Sequence, residues 1–157
     1  LVTVPLTKGK AQNKPIQEVT ISYAENWIEK LRSRLNTAYG SAPYFHDYFD
    51  TMMDVFEMDY SRLIDLNNHL LKWIIESTGM HLETKKTYSY AHDYDLSVVD
   101  WRNKDLSFYQ NYSSNSQLVY DQIFDDKHGF IRNLSILDLL FNVGPESGLV
   151  LSKASER

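Results

Sequence analysis

Apolar residues recur along this 157-residue chain with two periods, and the switch between them outlines its elements. Val2, Val4 and Leu6 alternate with Thr3, Pro5 and Thr7, a period of two that predicts a strand at the very start. Pro5 has no amide donor, so this strand runs at an edge or bulges there. A polar loop from Lys8 to Lys14 follows. Ile16, Glu18, Val19, Thr20 and Ile21 then predict a second strand, and the two pair as a hairpin.

The period then lengthens. Ser22-Tyr23-Ala24-Glu25 has the spacing of a capping box, in which serine and glutamate satisfy the orphan amides of a helix start. Trp27, Ile28, Leu31, Leu35 and Ala38 form an apolar stripe at helical spacing, and Gly40 stops it. A second helix is predicted from about Tyr44 to Phe56, with Phe45, Phe49, Met52, Met53 and Phe56 inward. A third runs from about Arg62 to Ser77. Leu63, Leu66, Leu70, Leu71, Ile74 and Ile75 give it a broad buried face, and Gly79 stops it.

His81 to Tyr90 alternates weakly and reads as a strand. Residues 91–117 are polar and aromatic without a clear period, with a short strand or turn near Leu96-Ser97-Val98-Val99. Gln117 to Phe124 reads as a further strand. Ser135-Ile136-Leu137-Asp138 is another helix-start signature, for a helix to Asn142 that Gly144-Pro145 ends. From Glu146 the chain is small and polar, and a frayed tail over 146–157 is expected. The sum is a mixed α/β, helix-rich fold: a small sheet with an N-terminal hairpin packed against about four helices, in one domain over 1–157.

Composition narrows the function. Aromatics reach 13%, enough buried area to offset chain entropy, so the chain folds rather than staying disordered. A net charge of −5 speaks against sequence-independent binding of nucleic acid, which needs a cationic surface. The absence of cysteine excludes disulfides, thiolate nucleophiles and cysteine-ligated zinc in this chain. That lack of staples leans cytoplasmic. No apolar run approaches the roughly 18 residues of a membrane helix, and no cofactor motif occurs: no P-loop, no glycine-rich dinucleotide turn. The oligomeric state is not legible.

Five places carry candidate chemistry. His46 and Asp50 lie four apart on the second helix, as metal ligands would, but a solvated polar face is the simpler reading, and no metal is assigned. In His92-Asp93-Tyr94-Asp95 a histidine flanked by carboxylates suits a general base; an Asx-type turn explains the same residues more simply. His69 reads as a surface or core-edge histidine. Lys8, Lys10 and Lys14 with Gln12 and Asn13 place three cations and two amides in one loop, which suits a phosphate, against the simpler reading of a solvated hairpin tip. Asp125-Asp126-Lys127-His128-Gly129-Phe130 sets two acids, a lysine and a histidine in a turn between a strand and a helix, where α/β proteins hold ligands. A charged surface turn closed by Gly129 accounts for it equally well. Asn111-Tyr112-Ser113 and Asn133-Leu134-Ser135 fit the glycosylation acceptor pattern, which is common by chance.

Several segments together resemble the bacterial WbqC-like protein family. They are Leu1-Val2-Thr3-Val4-Pro5-Leu6-Thr7-Lys8-Gly9, then Ile16 to Ile21 with Trp27, then Ala38-Tyr39-Gly40-Ser41-Ala42-Pro43-Tyr44-Phe45. The last is the run Asp126 to Asn142, which looks most like the branch found in Bacteroides-type bacteria. Their order and spacing carry the resemblance over nearly the whole chain. It implies a role in surface-polysaccharide (O-antigen) biosynthesis, in cytoplasmic proteins acting on activated sugars by amide-forming acyl or aminoacyl transfer to an amino sugar. Family members carry a further segment before the first strand, so the resemblance implies that this chain is the C-terminal, larger part of such a fold.

On that reading the partner is a sugar nucleotide or another phosphate-bearing small molecule. Lys8, Lys10 and Gln12 hold the phosphate, Tyr39 and Tyr44 stack on the sugar or base, and Asp126, Lys127 and His128 form the catalytic group, with Lys127 and His128 orienting or deprotonating a nucleophile. Trp27 reads as core. The rival is a non-catalytic module that binds carbohydrate or a partner, for which abundant Tyr and Asn are equally suited. A third is a domain with no small-molecule site.

Overall fold

The structure is a computed structural model that describes residues 2–7, 14–87, 89–95, 97–98, 100, 119–132 and 134–155. Within these, Trp27–Tyr39 (α1), Phe45–Glu57 (α2) and Leu63–Ser77 (α3) are the long helices. Asp125–His128 (α4) is a single turn, followed by Ile136–Val143 (α5) and Ser147–Ser155 (α6). The stretch from 147, which the sequence suggests as a tail, is therefore helical.

The expected sheet does not form. Among the described residues there is no strand, only two isolated antiparallel bridges, Leu6 with Ile21 and Thr20 with Arg62. The N-terminal segments do meet: Thr7 N–H donates to Thr20 O (2.9 Å) and Ser22 N–H to Pro5 O (2.8 Å). Pairing stops there for local reasons. Pro5 offers no amide in return, and Ile16–Glu18 is a 3-10 turn instead of the first half of a strand. On the other side of Val19–Ile21, Leu63 N–H donates to Val19 O, but Leu63 already begins α3. The fold is helix-rich, with these bridges in place of the small sheet and hairpin.

Two further strands are corrected. Residues 81–87 are all exposed and adopt neither helix nor strand. Their alternation gives no apolar face to bury, since Leu82 is the only large apolar side chain among them and is itself exposed. Residues 119–124 likewise form no strand. Of the short strand or turn near 96–99 only 97 and 98 are described; Asn111-Tyr112-Ser113 lies wholly outside the described residues, as does Asn133 of the other glycosylation pattern.

The helices follow their stripes closely. Phe45, Met52, Met53, Leu140 and Phe141 are almost fully buried and form the main core with Ala42, Phe49 and Trp73. Phe45 stacks on Phe49 (4.4 Å) and meets Phe141 edge-on (5.1 Å), so α2 and α5 interlock through rings. A second cluster, Ile21, Trp27, Tyr60 and Leu66, joins α1 and α3 to the N-terminal segment. Ile28, Val55 and Phe56 pack against both clusters. On α3 the inward face is narrower than expected: Leu71 is exposed, whereas Trp73 is buried and its indole N–H donates to Thr51 on α2 (3.1 Å).

Helix ends show where local signals compete. α1 begins at Trp27, not at the Ser22 box; Ser22 Oγ accepts from Ala24 N–H (3.4 Å) in the turn before it. Two signals do act as expected. Ser135 Oγ caps α5 by accepting from Leu137 N–H, and Gly144 ends that helix with φ +64°. Gly144 has a second reason to lack a side chain, because a Cβ would sit 2.5 Å from the Tyr44 ring. Next to it Ser147 is buried and donates to Gly144 O (2.6 Å), and Gly148 lies directly on the Thr78 carbonyl at the end of α3. These contacts give α6 its start.

Candidate functional site

The turn Asp126-Lys127-His128 is the tip of a loop closed by one side chain. Gln122 is buried, and its amide works at both ends. Nε2 donates to Ile131 O (2.8 Å), and Oε1 accepts from Ile131 N–H (2.8 Å). This pair imitates one rung of a strand ladder with a side chain, although 119–124 forms no strand. Within the loop, Lys127 and His128 N–H both donate to Phe124 O, and Gly129, at φ +64°, turns the chain away. Asp126, Lys127 and His128 are exposed. Their side chains make no hydrogen bond or ion pair among the described residues.

Beneath the loop lies a buried carboxylate. Asp138, in the first turn of α5, is 2% exposed. Tyr120 donates its hydroxyl to Asp138 Oδ1 (2.7 Å), and the Tyr39 hydroxyl, at the end of α1, lies close to the same carboxylate. The Tyr120 ring also meets Phe130 edge-on at 5.4 Å, so it touches the returning arm of the loop. Burial raises the Tyr39 hydroxyl to about 12, with the Asp138 charge adding to the effect. Burial also raises Tyr120; the neighbouring Gln122 amide opposes this, and Asp138 and Tyr39 reinforce it. Both phenols therefore stay protonated donors at ordinary pH. Sequence reasoning noticed Asp138 only as part of a helix-start signature. A lone carboxylate in Leu137-Asp138-Leu139-Leu140, at a position that faces the core, was the available signal.

The other predicted residues fall as follows. Tyr39 is half-buried, with its ring 5.3 Å from Phe141. Tyr44 is half-buried against Gly144, and its N–H donates to Phe141 O (2.9 Å). Both tyrosines thus converge on α5, as does the base of the loop. Lys8, Lys10 and Gln12 lie outside the described residues. His46 and Asp50 are exposed on α2, and His69 donates its Nδ1–H to Asp65 O (2.8 Å) beside the Tyr60 ring. Among the described residues, no group of three or more His, Asp or Glu is arranged to hold a metal ion. No described helix is long and apolar enough to cross a membrane. An open groove of about 430 Å³ runs along the outer side of α1, lined by Asn26, Glu29, Lys30, Ser33 and Arg34, and includes none of the predicted site residues.

No curated protein matches the chain, and no solved structure does. A family model does match, over a stretch that holds Lys8, Lys10, Gln12, Tyr39 and Tyr44 and ends before Asp126. With residues 1–104 matched, about two thirds of its length, the chain belongs to the WbqC-like protein family.

Proposed function

We propose that the protein serves bacterial surface-polysaccharide (O-antigen) biosynthesis in the cytoplasm, as an amide-forming acyl or aminoacyl transferase acting on a nucleotide-activated amino sugar. Membership in the WbqC-like family carries this reading. The exposed turn Asp126-Lys127-His128 adds the chemistry: a cation and an imidazole side by side, with no side-chain hydrogen bond or ion pair among the described residues. Lys8, Lys10 and Gln12 take the phosphates of the sugar nucleotide, and Tyr39 and Tyr44 contribute ring surface to the sugar.

In the reaction, the amine nitrogen of the sugar forms a C–N bond to the acyl carbon of an activated donor. The bond from that carbon to its activating group breaks, and the group leaves with the electron pair. His128 takes the proton that nitrogen sheds. Lys127 offsets negative charge on the carbonyl oxygen, and Asp126, next to it in the turn, adds a carboxylate to the same catalytic group.

Thermal shift with nucleotides, sugar nucleotides and free sugars tests the reading. Stabilisation by nucleotide-bearing compounds that is lost in Lys127→Ala and His128→Gln supports it. Stabilisation by free sugars alone assigns the chain to the carbohydrate-binding module instead.

A further inference from the structure

The loop that carries Asp126, Lys127 and His128 has one apolar anchor in the main core, Ile123. Phe124 and Ile131, near its two ends, are both exposed. A relay of polar bonds adds to that anchor and ties the base of the loop to α5. Gln122 joins the two ends of the loop through Ile131. Tyr120, two residues before Gln122, bonds the buried Asp138, and its ring supports Phe130. Asp138 in turn sits on α5, whose neighbours Leu139, Leu140 and Phe141 are core residues.

We propose that Tyr120, Gln122 and Asp138 are positioning residues, which hold the Asp126-Lys127-His128 turn at a fixed place over the start of α5. Three observations converge. A buried glutamine whose amide spends both ends on one residue of its own loop is a constraint on that loop's span. A carboxylate with 2% exposure has little solvent to satisfy it, so it needs the Tyr120 hydroxyl that brings the loop base to it. The tip side chains, by contrast, take no part in these bonds. A loop fixed at its base with exposed side chains at its tip is the arrangement that presents those side chains to a ligand in one geometry. The ligand role of the tip rests on the function proposed above; the clamp does not.

The experiment uses the full chain and two variants of nearly conserved size. Tyr120→Phe keeps the ring on Phe130 but removes the donor to Asp138. Gln122→Glu, ionised at neutral pH, keeps the acceptor for Ile131 N–H and loses the donor to Ile131 O. Lys72→Ala, on the exposed side of α3, serves as control. Amide hydrogen exchange is followed across the chain at a temperature where every variant is fully folded. Exchange over 124–131 should quicken about tenfold in each loop variant, the scale of one lost hydrogen bond, while α1 to α3 stay unchanged.

In parallel, Kd is measured for a panel of uridine- and thymidine-diphosphate sugars, and should rise as the competent fraction of turn conformations falls. Local quickening with weakened binding upholds the proposal. Unchanged exchange over 124–131, or local quickening with binding intact, overturns it. If no compound on the panel binds the wild type, the functional reading fails and the clamp is judged on exchange alone. A merely structural role would instead quicken exchange in the helices as well, and that outcome also overturns the proposal. If one variant does not fold, the other carries the test.

Discussion

The α2–α5 core and the loop over 122–131 lie next to each other and are held by opposite means. In the core, rings and methionines from two helices fill the space: Phe45, Met52, Met53, Leu140 and Phe141 are nearly inaccessible. Its strength is area removed from water, which is non-directional and tolerant of small shifts. The loop sets only Ile123 against that core and adds a few directional bonds, Gln122 to Ile131 and Tyr120 to Asp138, each lost completely if one partner moves. One region gives stability and the other gives placement. A chain that must present polar side chains at a turn cannot bury that turn, so it fixes the base and leaves the tip in water.

The comparison can be broken from the core side first. Phe141→Ala should cost about 3–5 kcal/mol, because the ring is fully buried and touches Phe45 and Tyr39, and urea denaturation would measure it. A loss under about 1 kcal/mol would mean that the core is not packed as described. Gly144→Ala comes next. A Cβ there meets the Tyr44 ring and sits on backbone at φ +64°, so a loss of about 1–3 kcal/mol is expected from the same denaturation curves.

Tyr120→Phe separates the two regions. Removing one hydroxyl from a buried carboxylate should lower stability by about 1–2 kcal/mol, less than any core truncation. An effect equal to Phe141→Ala would erase the contrast drawn above.

Alkaline titration sharpens the same point. Tyr39 is raised from its ordinary value of 10 to about 12, first by burial and then by Asp138. The unfolded chain therefore releases its phenolic proton before the folded chain does. Stability contributed by this group is complete below pH 10 and is lost as pH rises through about 12. Tyr120, raised for the same leading reason, acts in the same direction. Phenolate absorbance should show Tyr39 and Tyr120 ionising after the exposed tyrosines, and Tyr120→Phe should remove one of the late titrations. The smallest effect belongs to the surface. Arg62→Ala breaks the exposed pair with Asp65 and should change stability by less than about 1 kcal/mol.

Much of the helical architecture was written in the chain's period. The stripes on α1 and α2 place Trp27, Phe45, Phe49, Met52 and Met53 inward, and they are inward. Strand signals misled because alternation states which face is apolar and says nothing about whether a partner exists. Val2 to Thr7 has the pattern, and its partner offers only one bridge before Pro5 and the 3-10 turn at Ile16–Glu18 intervene. The candidate site was legible in part. Asp126, Lys127 and His128 stand out as a charged turn, but the Gln122–Ile131 pair spans nine residues and the Tyr120–Asp138 bond joins residues 18 apart in number, beyond the reach of any local pattern.

By itself, then, the sequence determined helices α1, α2, α3 and α5, the buried faces of α1 and α2, the Ser135 cap, the stop at Gly144 and the family, since these rest on periodicity, local hydrogen bonds and residue order. Tertiary structure decided that no sheet forms among the described residues, that Trp73 and not Leu71 turns inward, and that Asp138 is buried under two tyrosines. Each of those outcomes depends on a partner supplied from far along the chain. A residue's own neighbours fix its conformation, but only the packed molecule fixes what it faces.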